Sequence, residues 1–165
     1  MTWVNYTGLR RTYIDGMKNQ LGFIALGLWV VTVGVFGWFF VKGYTTTGTD
    51  QRRQILLSPQ EKDMVLGEMR AMLSALNGVM GALAENDSKK AAQAARTAGM
   101  GMAVDVSPAL LAKLPADFKM LGMGTHKQFD EFATQLDGGM TAQQAMKIMN
   151  NLTNNCVACH QGNRF

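Results

Sequence analysis

The sequence predicts an all-α protein: an antiparallel four-helix bundle with one N-terminal transmembrane helix. Residues 21–41 form an uninterrupted apolar run, and residues 58–160 contain four amphipathic helical segments joined by short connections. No segment alternates apolar and polar residues as a half-buried strand would. Helices of about 15–28 residues with short connections favour an antiparallel bundle.

The apolar run from Leu21 to Val41 contains no charged residue and is bracketed by Lys18 and Lys42. At about 1.5 Å per residue, a helix of this length spans the roughly 30 Å hydrocarbon core of a bilayer. The apolar part of a cleaved signal peptide is usually only about 7–15 residues long. We therefore expect a transmembrane anchor over residues 21–42 that is retained.

The charge is distributed unevenly along the chain. Most of the formal net charge of +4 lies before residue 50. This part of the chain contains four basic residues, Arg10, Arg11, Lys18 and Lys42, and one acidic residue, Asp15. The remainder of the chain is nearly balanced. This pattern lacks the broad basic face of a nucleic-acid-binding domain, so no nucleic-acid partner is expected.

Residues 43–57 begin with small and polar residues, which predicts a linker. The first helix of the bundle starts at Ser58, which is followed by a proline and then by Glu61, a strong N-terminal signal. Apolar residues at spacings of three and four predict that this helix runs to about Glu85. Asp87 is suited to cap a second helix whose small residues continue to Met102.

Two prolines, Pro108 and Pro115, frame a short turn of helix after the second segment. A third helix is predicted from about residue 116 to Leu136, where two glycines stop it. Thr141 is suited to cap the fourth. Residues 58–165 therefore form the predicted bundle domain.

The fourth helix contains Cys156 and Cys159, the two cysteines of the chain, with His160 directly after the second. On a helix the two sulfurs lie on one side, so both can reach the vinyl groups of one haem while the imidazole binds the iron. A redox dithiol or half of a zinc site is the alternative. A complete zinc site would need more ligands than His126 and His160. The motif therefore predicts one covalently attached haem c.

With this motif five residues from the last residue, the segment from about Ser58 to Phe165 resembles the class II cytochromes c, the cytochrome c-prime and cytochrome c-556 family. The resemblance implies that Arg164, four residues after the haem histidine, lies near the proximal imidazole. Asn163 stands where the family usually has an aromatic residue. A membrane anchor is a second departure, because familiar members are soluble periplasmic proteins.

The resemblance leaves the sixth ligand of the iron open. Cytochromes c-prime leave the distal position free beneath an apolar side chain of the first helix, whereas the c-556 type supplies a methionine from that helix. Met69 is the favoured ligand, because its distance to the end of the helix best fits the family pattern. Met72 is the alternative ligand, and Met64 lies nearer the helix start. Ordinary core packing explains all three equally well.

His126 has three open interpretations: a contact at the haem edge, where the family often has an aromatic residue, a position on the helix surface, or ligation of the iron. Gly27 and Gly34 lie on one face of the anchor, where small residues would let a transmembrane partner approach.

The expected function is one-electron transfer by a membrane-anchored c-type cytochrome that serves redox partner proteins or a membrane electron-transfer complex. Enzyme activity is not expected, because the sequence shows no Ser/His/Asp arrangement and no phosphate loop. One alternative is a five-coordinate, cytochrome c-prime-like protein that binds NO or CO. Another is a haem-bearing accessory subunit of a respiratory or photosynthetic membrane complex.

The motif also predicts the topology, because c-type haem is attached on the outer face of the energy-transducing membrane. We expect a single-pass protein of the bacterial inner membrane. Residues 1–20 are then cytoplasmic and the haem domain, residues 58–165, is periplasmic.

Overall fold

The computed structural model describes residues 6–165 and the side chains of residues 20–103 and 106–165. The chain divides into two compact units, the second of which comprises Phe40–Phe165. The structure is mostly helical, as predicted, with six α-helices among the described residues.

The first helix, α1, runs from Tyr6 to Lys42. Its stretch Gln20–Lys42 has a mean hydropathy of 2.2 and is long and apolar enough to cross a membrane. This agrees with the predicted transmembrane helix. A signal sequence near an N-terminus also meets this criterion of length and apolarity, so retention of the anchor and its orientation stay predictions.

The second unit holds five α-helices and one 3-10 helix. They are α2 (Pro59–Ala84), α3 (Ser88–Arg96), the 3-10 helix (Met100–Asp105), α4 (Pro108–Lys113), α5 (Ala116–Asp137) and α6 (Ala142–Gly162). The predicted helix starts are confirmed by complete capping boxes. The Ser58 hydroxyl accepts from the Glu61 backbone N–H while the Glu61 carboxylate accepts from that of Ser58, and Thr141 and Gln144 form the same reciprocal pair.

The four-helix bundle is not confirmed. Helix α3 has only nine residues and packs against α2 and α5, and α5 packs against α6. The predicted second helix of the bundle corresponds to α3. It does not reach Met102, because the chain turns after Arg96 and continues as the 3-10 helix. Gly99 permits this path, because a Cβ at this residue would overlap Oδ1 of Asp130. The Asp130 carboxylate accepts a hydrogen bond from the Met100 backbone N–H at 2.9 Å.

The expectation that no segment forms a strand is wrong. Strands β1 (Thr45–Thr47), β2 (Arg53–Ile55) and β3 (Asn163–Arg164) form a small sheet in the order β1-β2-β3. Strands β1 and β2 are antiparallel, whereas β2 and β3 are parallel. The segment 43–57, predicted to be a linker, thus pairs with the residues that follow α6.

The buried apolar residues form two clusters. The alanine-rich cluster lies among α2, α3, α5 and α6 and consists of Ala75, Leu76, Val79, Ala82, Ala91, Ala92, Ala95, Ala98, Phe129, Phe132, Ala133, Leu136, Ala145, Met149 and Leu152. The sheet-side cluster is smaller and consists of Ile55, Val65, Leu110 and Leu114, against which Leu57, Met69, Val106, Phe118 and Phe165 pack.

Candidate functional site

The two cysteines and the adjacent histidine lie in the last turns of α6. Cys156 and Cys159 are free thiols and half-buried, and His160 is exposed. Burial raises the pKa of both thiols. The Sγ atom of Cys156 lies 3.8 Å from the backbone carbonyl oxygen of Leu152, within reach of a weak S–H hydrogen bond.

A cavity of about 230 Å³ lies beside these residues. Met69 lines it from α2, while Cys159 and His160 line it from α6. A thioether and an imidazole from two different helices therefore face one space. The complete lining is Arg52, Lys62, Leu66, Met69, Phe118, Cys159, His160, Asn163, Arg164 and Phe165.

The other methionines considered as ligands do not line this cavity. Met72 packs against the alanine-rich cluster, and the side chain of Met64 is 46% exposed. Of the three candidates on α2, Met69 is the one that lines the cavity together with His160. Its role as a ligand stays a prediction.

His126 is buried in α5, with only 3% of its surface exposed. Its Nδ1 lies 2.8 Å from the backbone carbonyl oxygen of Ala98. The interpretation of His126 as a surface residue is therefore wrong. His126 also does not line the cavity that holds His160, which disfavours ligation of the same iron and leaves a haem-edge contact as a prediction.

Arg52 secures the end of α6. Its Nη1 donates to the backbone carbonyl oxygen of His160 at 2.9 Å, and its Nε donates to Oδ2 of Asp50 at 2.7 Å. The last carbonyl groups of a helix have no partner within the helix, so a guanidinium at this position satisfies one of them. Arg52 in turn lowers the pKa of Asp50 to about 2.

A second arginine, Arg53 in β2, binds the residue that follows the helix. Nε of Arg53 donates to the side-chain oxygen of Asn163 at 2.8 Å, and its Nη2 donates to Asp117 at 2.8 Å. This guanidinium lowers the pKa of Asp117. The Asn163 amide donates to the carbonyl oxygen of Cys159 at 3.1 Å. The asparagine that departs from the family pattern is therefore a polar link between the cysteine motif and the sheet.

Arg164 occupies a crowded place at the edge of the cavity. Its Nη1 donates to Oγ1 of Thr49 at 3.0 Å and lies 3.5 Å from Oδ2 of Asp50. Its Nε is buried and has no hydrogen-bond partner, and it is the one such side-chain nitrogen or oxygen in the described part of the chain. A buried donor left unpaired costs about 1–3 kcal/mol. This nitrogen is enclosed by neighbouring protein atoms rather than open to the cavity.

The residues that line the cavity fit a haem group. They include a thiol and an imidazole from α6, a thioether from α2 and apolar walls from Leu66 and Phe118, which are groups that haem sites use, whereas Cys156 does not line the cavity. Among the described residues, no group of three or more His, Cys, Asp and Glu side chains could hold a bare metal ion.

Of the residues named from the sequence, Met69, Cys159, His160 and Arg164 line the cavity and Cys156 does not. The sequence did not indicate Arg52 and Arg53. The two arginines lie far from the motif along the chain, and nothing local in the sequence pairs them with it.

Comparison of the chain with protein families, with curated proteins and with solved structures found no match.

Proposed function

We propose that this protein is a membrane-anchored c-type cytochrome that transfers one electron through a single haem bound covalently to Cys156 and Cys159. The observation that carries the proposal is that Met69, Cys159 and His160 line one cavity from two helices. Covalent attachment and two axial ligands require these residue types. The similarity of the terminal motif to the class II cytochromes c supports the same assignment.

When bound, the haem supplies the one-electron chemistry. His160 and Met69 would hold the iron, and a methionine ligand would raise the potential relative to other ligand sets. Leu66, Phe118 and Phe165 line the cavity with apolar groups, and an apolar surrounding would also affect the potential. The anchor α1 keeps the haem domain on the periplasmic face, close to redox partner proteins or a membrane electron-transfer complex.

Covalent attachment is tested by denaturing the protein and measuring haem absorbance on the polypeptide. Wild-type protein keeps its haem, and replacing Cys156 and Cys159 together by Ala abolishes retention. His160→Ala keeps the thioether bonds but disturbs the iron spectrum. Complete loss of haem from denatured wild-type protein would refute the proposal.

The choice between an electron carrier and a gas-binding protein is tested by the spin state of the ferric iron. We expect low-spin iron in the wild type and high-spin, CO-binding protein after Met69→Ala. Met72→Ala is the matched control, because Met72 lies on the same helix but in the alanine-rich cluster. High-spin wild-type iron that binds CO stoichiometrically would instead indicate the five-coordinate type.

The topology is tested by adding protease to intact spheroplasts. Digestion of residues 58–165 agrees with a periplasmic domain. A protected domain, or a mature chain that starts near Tyr44, would contradict a retained anchor.

A further inference from the structure

The end of the apolar stretch of α1 is built into the second unit. The stretch Gln20–Lys42 ends inside this unit and is followed by Gly43. Gly43 has a φ of +65° and lies so close to the backbone of Pro115 that a Cβ would overlap it. The backbone N–H of Tyr44 donates to the carbonyl oxygen of Lys113 at 2.7 Å. The chain therefore leaves the apolar stretch against the corner between α4 and α5.

Lys119 of α5 reaches back to the apolar stretch itself. Its Nζ donates to the backbone carbonyl oxygen of Phe40 at 3.3 Å and lies 3.8 Å from the centroid of the Phe40 ring. Phe40 precedes Lys42, the last residue of the stretch, by only two residues, or about 3 Å along a helix. The first turn of α5 therefore lies within the length of one lysine side chain of the residues that end the stretch.

Three large apolar side chains lie next to these contacts and are exposed. Tyr44 is 58% exposed, Leu56 is 40% exposed, and Met120, which follows Lys119, is 69% exposed. Leu56 is held beside Tyr44, because its backbone N–H donates to the carbonyl oxygen of Tyr44 at 2.8 Å. We call Tyr44, Leu56 and Met120 the corner surface. This surface directly continues the apolar stretch of α1.

The length of chain after the stretch limits what can cover the corner surface. The polar layer on each side of a bilayer is about 5–7 Å thick, because a hydrocarbon core of roughly 30 Å lies within a total of about 40–45 Å. Two residues of chain reach at most about 7 Å. Tyr44, two residues after Lys42, is therefore within this layer when the stretch spans the membrane. Tyrosine is enriched at this level of membrane proteins.

We propose that the corner surface lies in the headgroup layer of the phospholipid bilayer that α1 spans. Its apolar side chains leave water there, which is favourable. Lys42 and Lys119 add positive charge beside it, which suits the phosphate groups of the lipids. The inference rests on the retained anchor of the proposed function. It goes beyond that anchor, because a tether alone would leave the domain free to turn away from the membrane.

The test is photo-crosslinking of the full-length protein in the membranes of the bacteria that produce it. Three variants carry p-benzoylphenylalanine in place of Tyr44, Leu56 or Met120. On irradiation this residue reacts with C–H bonds that touch it. We expect the intact mass of each purified variant to rise by the mass of one phospholipid. All three side chains are exposed, and circular dichroism confirms that each variant folds.

Met146 is the matched negative control, because it is also an exposed methionine, at 55%. Helix α6 runs antiparallel to α5, since Asn155 binds Thr125 whereas Phe165 packs against Phe118 near the start of α5. Met146 precedes Asn155 by nine residues and therefore lies toward the other end of α5. We expect no lipid adduct when p-benzoylphenylalanine replaces Met146.

The same residue in place of Phe36, within the apolar stretch, shows whether the anchor lies in the membrane. Lipid adducts at position 36 but none at the corner surface overturn the inference and leave the anchor intact. Adducts of the corner surface with a second copy or a redox partner instead of lipid also overturn it, as do equal lipid adducts at position 146. The absence of lipid adducts at position 36 overturns the retained anchor, and the inference with it.

Discussion

The two apolar clusters differ in composition and in closure. The alanine-rich cluster contains eight buried alanines and the fully buried rings of Phe129 and Phe132. Small side chains let α3 approach α2 and α5 closely, and the interior is closed. The sheet-side cluster has four buried members and several partly buried ones, including Met69 and Phe118, which border the cavity.

This difference indicates that the alanine-rich cluster provides most of the stability, whereas the sheet-side cluster borders the candidate site. Removing side-chain atoms from a closed cluster lowers the free energy of unfolding strongly, because the surrounding side chains fill the resulting cavity only partly. The sheet-side cluster is incomplete beside the cavity, so a bound ligand can contribute to its packing. Binding to the folded state alone stabilises it. We therefore expect the haem to stabilise the sheet-side cluster more than the alanine-rich cluster.

Removing residues 1–57, and with them strands β1 and β2, is the largest expected disruption of the sheet-side cluster. A chain of residues 58–165 lacks Ile55, which is only 1% exposed, and also lacks Arg52 and Arg53. The loss of the Ile55 side chain alone costs about 2–5 kcal/mol. Domains are commonly stable by about 5–15 kcal/mol, so we expect the short chain to be mostly unfolded.

The matched control for this truncation is a chain of residues 43–165, which keeps all three strands. Its helical circular dichroism and its urea midpoint should exceed those of the shorter chain. Equal midpoints for the two chains would show that residues 43–57 are a linker after all.

The aromatic residues provide a direct comparison of the clusters. Phe132 is 0% exposed in the alanine-rich cluster, so Phe132→Ala should cost about 3–5 kcal/mol of unfolding free energy. Phe118 is only half-buried and lines the cavity, so Phe118→Ala should cost less but change the haem spectrum. Urea unfolding and visible absorbance measure the two effects. A spectrum changed by Phe132→Ala alone would contradict this division of roles.

Gly99 tests how tightly the alanine-rich side is packed at the end of α3. Gly99→Ala places a methyl group against the Asp130 carboxylate, and such overpacking costs about 1–3 kcal/mol. Gly101→Ala is the control, since nothing lies within 4 Å of the Cβ it would add. The urea midpoint should fall for Gly99→Ala and stay unchanged for Gly101→Ala. A similar midpoint for both would mean that Asp130 moves aside without cost.

The smallest expected effect is a pH dependence on the sheet side. The pKa of Asp50 is lowered from 3.8 to about 2, mainly by its hydrogen bond with Arg52. A lowered folded-state pKa means that the stabilisation is fully present above about pH 4 and is lost as the pH falls through about 2. Both side chains are partly exposed, so the contribution is modest.

Asp50→Asn should remove this acid-sensitive contribution. The urea midpoint of the variant should then fall less than that of the wild type when the pH is lowered from neutral to about 2.5. Parallel decreases in the two proteins would show that Asp50 does not contribute to the acid sensitivity.

The parts of the fold that sequence reasoning predicted correctly are those determined by neighbours along the chain. The capping residues Ser58 and Thr141 mark the starts of α2 and α6 because their partners lie three residues away. The early end of α3 could not be predicted, since it depends on a contact between Gly99 and Asp130. The strands have two or three residues each, too few to show a period of two.

The candidate site divides in the same way. Cys156, Cys159 and His160 lie together in one five-residue motif, whereas Met69 was favoured only through the resemblance to the class II cytochromes c. Arg52 and Arg53 reach the motif only through tertiary structure, so no local pattern could indicate them. Helix periodicity also could not distinguish Met69 from Met72, because it does not show which cluster each one joins.

The parallel pairing of β2 with β3 has a consequence for the order of folding events. It joins Arg53 to Asn163, which are 110 residues apart. Closing so long a loop has a large entropic cost, so we expect this pairing to form after the local helices. Until then, the end of α6 lacks its arginine partners. In the closed protein, burial raises the pKa of both cysteines and reduces the fraction of reactive thiolate. If haem is attached as proposed, a chain that has not yet closed its sheet would therefore be the better substrate for thioether formation.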